Sequence, residues 1–363
     1  MTTAPRKPRA GSGRYSGAPT IADVAALAGV STMTVSRVIN AESNVRDSTR
    51  EAVNAAIVQL NYAPNRAARS LAGASQLRLG LLYSNPSAAY LSEFLGGSLD
   101  QAGRSDIQLV VQKCEIGDHE REVVERMIAS GIDGVILPPP LCDSRAVLDV
   151  LTEAGVPTVV VATGSPPDGS AAVTIDDFEA ARAMTEHLVK LGHSRIGFII
   201  GNPNQTASRL RHEGYLAAIA DAGLEPDESL VVGGLFTYRS GLDGAEQLLD
   251  AKDPPTAIFA SNDDMAAASV AVAHRRGLDV PGDLTVCGFD DSALATTIWP
   301  ELTTIHQPIA DMSRAAVELL VSAIFNRRSG GQDANGHVVL DYTLVRRQSD
   351  AAPRRRPPSR VHV

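Results

Sequence analysis

From Arg78 to Gln348 the chain alternates short apolar runs with stretches of helical period, and this alternation constrains the fold more than any other feature. "LGLLY" precedes a helical stretch over about Leu91–Ala102. "IQLVVQ" leads to a second over Glu120–Ser130, "GVILPP" to a third over Ser144–Ala154, and "TVVVA" closes the set. Strands apolar at every position are covered on both faces, and strands separated by helices run parallel. A second set begins after "VTIDD" (173–177). It continues with a helix over Phe178–Leu191, "RIGFIIG", a helix over Arg209–Ala222, "LVVGG" and a helix near Ser240–Leu249. "TAIFASND", a helix over Met265–Arg276 and "LTVCGFDD" complete it. Two doubly wound units of similar size predict two lobes with a cleft between them. "TTIHQP" and a helix over Ala310–Asn326 are expected to return to the first lobe, and "HVVLDYTLVRRQ" to the second.

Ahead of this alternation, "TIADVAALAGVSTMTVSRVIN" (Thr20 to Asn40) packs two short helical patterns around Gly29 and Val30. Thr20 is placed to cap the first, with Asp23 three residues on to reach back to the cap amide. Ile21, Val24, Ala25 and Ala28 mark a buried face. Gly29 can turn in a left-handed conformation without a Cβ clash. Ser31 caps the second helix. There Val35, Val38 and Ile39 face inward, which leaves Thr32, Met33, Thr34, Ser36 and Arg37 outward. Two helices joined by a tight glycine turn make a helix-turn-helix, whose second helix enters a DNA major groove. An ordinary helical hairpin is the plainer account of this stretch alone.

A third helix over about Asp47–Leu60 carries Val53, Ala56, Ile57 and Leu60 as one stripe. "NYAPNRAARSLAG" (61–73) follows. Pro64 stops the helix before it, Asn65 can cap a new one and Gly73 ends it. A helix of about eight residues is marginal alone. Arg66 and Arg69 suit phosphates, and Leu71 is the type of apolar wedge that opens a minor groove.

These two segments resemble the headpiece and hinge helix of the lac repressor (LacI/GalR) family of bacterial transcription regulators. "TEHLVKLGHSRIGFI", "RLRHEGYLAAI", "AIFASNDDMA", "VCGFDD" and "LTTIHQP" are similar to stations along that family's core, so the resemblance runs from about Thr20 to Ser349. It implies a periplasmic-binding-protein-like core of two Rossmann-like lobes joined by three crossover strands. It also implies a homodimer on palindromic operator DNA, and a small effector in the cleft, a carbohydrate first and a nucleobase second. No cofactor is implied. The candidate DNA contacts are Thr20, Ser31, Thr32, Met33, Thr34, Ser36, Arg37 and Asn40, with Asn65, Arg66, Arg69 and Leu71 in the hinge. Ligands of open α/β sheets collect at the carboxyl ends of strands. Those ends carry Ser84, Asn85, Asn262 and Asp290, to which the resemblance adds Arg211, beginning the first turn of its helix, and Phe236. Tyr90, starting the first-lobe helix, completes the set. Asn262 and Asp263 could instead simply cap the helix at Met265, and Asp291 reads as a cap or turn residue. The chain departs from well-known members in two places. Thr32–Met33 offers no bidentate amide or guanidinium for base readout, and Ala162 stands where one branch has a sugar-binding aspartate.

Charge distribution agrees with DNA binding. The 363 residues carry a net −9, yet residues 1–75 hold nine Arg or Lys against four Asp or Glu, a net +5 that leaves −14 for the rest. A basic footprint confined to one region is what polyanion binding needs. The division expected is a disordered basic arm (1–19), a helix-turn-helix domain (20–64), a hinge helix and linker (65–77), the two-lobed core (78–349) and a disordered tail (350–363). The tail has no leucine heptad, which favours a dimer over a tetramer. No run of 18 apolar residues occurs and the first residues lack the apolar stretch of a signal peptide. Cys114, Cys142 and Cys287 lack metal-ligand spacing and read as free thiols of a reducing cytoplasm. No GxSxG, Walker, HExxH or CxxC motif points to catalysis. His187 and His193 fall on different helix faces, so no metal site is expected. Two alternatives stay open: a cytoplasmic solute-binding protein, and a sugar-active α/β enzyme fused to a DNA-binding module.

Overall fold

A computed structural model describes residues 20–39, 46–60, 76–167, 170–329 and 336–354. The chain divides into two compact units, residues 1–76 and 77–363.

In the first unit, α1 (Ile21–Ala28), α2 (Thr32–Ile39) and α3 (Asp47–Gln59) enclose a core of Val24, Ala25, Val35, Val38, Val53 and Ala56. Thr20 and Asp23 form the expected capping box. The Thr20 amide donates to the Asp23 carboxylate at 2.7 Å, and the Asp23 amide donates to Thr20 Oγ1 at 3.4 Å. The Thr20 hydroxyl and amide together hold the Asp23 carboxyl below its ordinary pKa. Gly29 closes α1 at φ 68°, ψ 31°, the left-handed turn for which a glycine was expected. Ser31 Oγ accepts from the Thr34 amide at 3.2 Å and starts α2. The expected hinge, with Asn65, Arg66, Arg69 and Leu71, lies outside the described residues, as do Asn40 and the basic arm.

The second unit holds two six-stranded sheets with the same strand order. The first contains β1 (Arg78–Tyr83), β2 (Gln108–Lys113), β3 (Gly134–Leu137), β4 (Thr158–Val161), β5 (Ala171–Thr174) and β11 (His337–Val339), in the order 11-5-4-3-1-2. The second contains β6 (Ile196–Ile199), β7 (Val231–Val232), β8 (Ala257–Ala260), β9 (Thr285–Asp290), β10 (Thr303–His306) and β12 (Thr343–Val345), in the order 12-10-9-8-6-7. Every pairing is parallel except β10 with β12. Central strands β3, β5, β6 and β8 are buried at every residue, which is why they read as unbroken apolar runs. Edge strand β2 keeps the half-exposed pattern of a strand with one neighbour.

Among the described residues, eight α-helices connect these strands: α4 (Ala88–Arg104), α5 (Glu120–Ala129), α6 (Arg145–Glu153), α7 (Asp177–Lys190), α8 (Thr206–Asp221), α9 (Tyr238–Leu249), α10 (Asp263–Arg275) and α11 (Leu294–Thr297). A ninth, α12 (Ile309–Arg328), lies on α4 and on β3, β4 and β5 of the first sheet, as expected.

β5, which runs into "VTIDD", extends the first sheet beside β4, and the second lobe begins after it, as the sequence predicts. Two sequence expectations are corrected. The "TTIHQP" strand stays in the second lobe as β10, beside β9. "HVVLDYTLVRRQ" is two strands, β11 on the first sheet and β12 on the second. Single-strand periodicity cannot assign a sheet, because each of these strands is short and would be equally covered in either lobe. The backbone therefore crosses between lobes near 175–176, 307–308 and 340–342. The expected tail is corrected at its start. Asp350 is buried, accepting from the Thr303 hydroxyl at 2.6 Å and bonded to His187 Nε2 at 2.7 Å, and the Ala351 carbonyl bonds His193 Nε2 at 2.8 Å.

Candidate functional site

In both sheets the strand order reverses beside the first strand, between β1 and β3 and between β6 and β8. Such reversals open a crevice at the carboxyl ends of the strands. One cleft in the core unit is lined there. Asn85, Pro86 and Ser87 follow β1, Pro139 follows β3 and Ala162 follows β4. From the other lobe, Gln205 follows β6, Phe236 follows β7, Asn262 follows β8, Asp290 ends β9 and Gln307 follows β10. Tyr90 on α4, with Ala207 and Arg211 on α8, completes the wall. The space not filled by atoms is about 410 Å³, part of it open to solvent. Ala162, Phe236 and Asp290 have φ values of 54°, 59° and 107°. Positive φ is costly for residues with a Cβ and clusters where a site over-determines the backbone.

Arg211 is the electrostatic centre. Its Nε donates to Asp177 Oδ1 at 2.7 Å and its Nη1 to the Ser261 carbonyl at 2.6 Å. Asp290 Oδ1 lies 3.9 Å from the same Nη1. The guanidinium carbon sits 3.6 Å from the centre of the Phe289 ring and 5.7 Å from that of Phe236. Burial raises the pKa of Asp177 against the pull of Arg211, and raises that of Asp290 well above the carboxylate range. Among the described residues lining the cleft, Arg211 is the one cationic side chain.

Two of the residues lining this cleft carry an unsatisfied polar atom. The buried Tyr90 hydroxyl and Gln307 Oε1 have no hydrogen-bond partner in the protein. Buried polar groups are rarely left so, and here they amount to a donor–acceptor and an acceptor set out for something else. Phe236 supplies an apolar wall. Its ring packs so closely on Gly201 that any Cβ there would overlap it.

Six of the seven expected ligand residues meet here: Asn85, Tyr90, Arg211, Phe236, Asn262 and Asp290. Ser84 is not among the lining residues. It sits one residue closer to the strand than Asn85. Arg211 lies in the second turn of its helix, not the first, because α8 starts three residues earlier than its apolar pattern suggests. Asn262 is both cap and wall. Its Oδ1 accepts from the Met265 amide at 3.0 Å and its Nδ2 donates to the Phe236 carbonyl at 3.1 Å. Asp263 is structural, fully buried with Ser292 and Thr304 as donors, and burial pushes its carboxyl up to about 7. Asp291 pairs with Arg347 and His306. Sequence reasoning missed Ser87, Gln205 and Gln307. Each lies in the segment that follows a strand, so extending the strand-end rule to the whole of that segment would have found them. The remaining histidines of interest are structural, His187 on Asp350 and His193 on Thr256 and Ala351. No cluster of metal-ligating side chains occurs among the described residues.

In the headpiece, Ser31, Thr32, Met33 and Arg37 are exposed and Thr34 is half-buried, with Met33 at 64%. Arg37 Nη2 reaches Met33 Sδ at 3.8 Å, so the outward face of α2 is partly ordered by its own side chains. The Ser36 side chain lies outside the described residues.

A trihelical headpiece with an exposed second helix, together with a core whose cleft lies at two topological switch points, defines a ligand-binding DNA-binding regulator. Residues 20–65 match the family described as bacterial regulatory proteins, lacI family, and residues 185–349 match a periplasmic binding protein-like domain. The chain belongs to the lacI family of transcription regulators. It is 36% identical over 341 residues to the HTH-type transcriptional regulator CelR of Thermobifida fusca, covering 91% of this chain and 98% of the relative. A solved CelR–cellobiose complex superposes with a TM-score of 0.69 at 34% identity, covering 92% of this chain and all of that one. The lac repressor dimer bound to operator and an anti-inducer gives a TM-score of 0.68 at 30% identity, covering 93% of this chain and all of that one. These relatives are regulators of transcription. No described helix is long and apolar enough to cross a membrane.

Proposed function

We propose that this chain is a cytoplasmic repressor that binds a near-palindromic operator as a homodimer, and that an uncharged carbohydrate in the cleft controls its operator affinity. The observation that carries the effector class is the cleft's unmet hydrogen bonding beside an aromatic wall. The Tyr90 hydroxyl, Gln307 Oε1 and the carboxyl of Asp290 can read sugar hydroxyls, while the apolar side of Phe236 suits a ring's C–H face. A phosphate or carboxylate fits poorly. The single cation is already engaged by Asp177 and the Ser261 carbonyl, with Asp290 beside it. The CelR–cellobiose complex supports the same class.

On DNA, α2 and the residues flanking it read a half-site through Ser31, Thr32, Met33, Thr34, Ser36, Arg37 and Asn40, with Thr20 on the backbone. Asn65, Arg66 and Arg69 contact phosphates, and Leu71 wedges the minor groove. Exposed Leu99, Tyr238 and Trp299 offer apolar surface on the core for pairing two copies. The effector shifts the population of a two-state core, and the marginal hinge segment transmits that shift. Titration calorimetry with neutral mono- and disaccharides, their 6-phosphates and purine bases tests the effector. Binding confined to the phosphates or purines refutes the class. Footprinting with measured stoichiometry tests the operator, and a monomer on a single asymmetric half-site refutes the dimer.

A further inference from the structure

Two hydrogen-bonded bridges join the lobes on either side of the cleft, and both are built in the same way. On one side, Asp143 of the first lobe reaches the first turn of α8 in the second. Its Oδ2 accepts from the Thr206 amide at 2.9 Å, and its Oδ1 accepts from the hydroxyls of Thr206 at 2.9 Å and Thr163 at 2.7 Å. The Gly164 amide adds a donor to Thr206 Oγ1 at 2.7 Å. The residue before α8, Gln205, gives it no side-chain cap, so the orphan amide at that terminus is satisfied from the other lobe. On the other side, Ser87 of the first lobe caps α4 by accepting from the Tyr90 amide at 3.3 Å, and donates its own proton to Asp264 Oδ2 of the second lobe at 2.6 Å. Asp264 lies in the first turn of α10, where a carboxylate also meets the positive end of the helix dipole. Each lobe thus presents a helix N-terminus to a carboxylate of the other. Neither Asp143 nor Asp264 lines the cleft.

We propose that Asp143–Thr206 and Ser87–Asp264 form a two-point clasp that positions the cleft walls around the effector and sets the open–closed balance of the core. Opening the lobes strips α8 of its cap and leaves the half-buried Asp264 with only the long 3.5 Å contact from Asn262 Nδ2, so both bridges resist the same motion. The bridges begin at residues adjoining the cleft wall: Ser87 is in it, and Thr206 lies between Gln205 and Ala207. A ligand that moves either wall therefore acts on the clasp directly. The meaning for sensing rests on the effector reading above, but the clasp itself is tested without any effector.

The test is a spin-label distance measurement on the full chain, with labels at Asp118→Cys in the first lobe and Arg239→Cys in the second. Both positions are exposed, and the three native thiols are buried. A charge-assisted bridge of this kind is worth about a tenfold shift in the closed-to-open ratio. Asp143→Ala with Asp264→Ala should therefore move the distance distribution to longer values, with the open-to-closed ratio up about a hundredfold if the bridges act independently. Ser87→Ala with Thr206→Val trims hydroxyls alone and should shift it in the same direction by less. It decides the matter if the first pair fails the circular-dichroism check for folding. Distributions that superimpose on wild type in the folded variants overturn the clasp, whatever the effector proves to be.

Discussion

Truncating Arg211 should destabilise the core severely, and the structure says by what route. The side chain is 4% exposed and its partner Asp177 is fully buried. Arg211→Ala removes the donor to Asp177 Oδ1, the donor to the Ser261 carbonyl and the plane stacked on Phe289. Asp177 Oδ2 already lacks a partner, so both oxygens of a buried carboxylate are then orphaned. Breaking a buried pair by removing one member costs about 3–5 kcal/mol, most of it the uncompensated charge left behind. For a domain of this size that is a melting shift of roughly 6–20 °C. Asp177→Asn in the same chain removes the orphaned charge, so the double variant should recover about 1–3 kcal/mol relative to the sum of the single changes. The pH dependence has a definite sign. Burial already holds the folded Asp177 pKa above the unfolded one, and losing Arg211 raises it further. The folded state then binds the proton more tightly than the unfolded state, so stability falls as pH rises through the interval between the two values. The deficit of Arg211→Ala is thus larger at neutral than at mildly acidic pH. Urea denaturation of the four proteins of the cycle, followed by far-ultraviolet circular dichroism, measures all of this. A single variant within about 1 kcal/mol of wild type, or a double variant no better than Arg211→Ala, would falsify the buried-pair account.

Three further outcomes are expected. Asp290→Asn should flatten the decline in urea midpoint that wild type shows as pH rises from the ordinary carboxylate range through the raised folded value; an unchanged slope means Asp290 titrates normally. Thr20→Ala removes the hydroxyl half of the capping box, so amide exchange across 21–28 should quicken while exchange in the core stays as it is, and equal protection in both proteins rejects the cap. Leu71→Ala should weaken operator binding and reduce DNA bending in a gel-phasing assay while carbohydrate affinity is kept; wild-type bending removes Leu71 as the wedge.

The headpiece was legible almost atom by atom, because its signals are local. A cap, a partner three residues on and a glycine at the turn are all set within one stretch of chain, and Thr20, Asp23 and Gly29 take the expected positions. The cleft was legible where strand ends carry polar residues, as at Asn85, Asn262 and Asp290. Sheet membership was not legible for β10 and β11. Their neighbours β9 and β5 are fixed by long-range pairing, and a run of three or four residues fits either sheet. The energetic role of Arg211 was also hidden. A helix position tells that an arginine can face the cleft, but its commitment to Asp177 comes from a residue 34 positions away. The interlobe bridges were invisible for the same reason. Ser87 and Asp264 are 177 residues apart and each looks like an ordinary helix-start residue.

The threefold passage of the backbone between lobes bears on how this molecule is made. The first lobe needs β11, whose residues lie at 337–339, and the second needs β12 and the buried Asp350 beyond it. A chain emerging from the ribosome can complete its headpiece early, since that core closes within residues 21–60. It can complete neither lobe until residues 337–350 have been read, and the two lobes then close nearly together. A message cut short before codon 337 accordingly yields headpieces without a finished core beside them. Such fragments leave β5 and β10 without their outer neighbours, and those exposed strand edges mark them for aggregation or proteolysis. Regulation by this fold is therefore withheld until both lobes are complete, and a stop before codon 337 leaves a headpiece with no finished sensor to govern it.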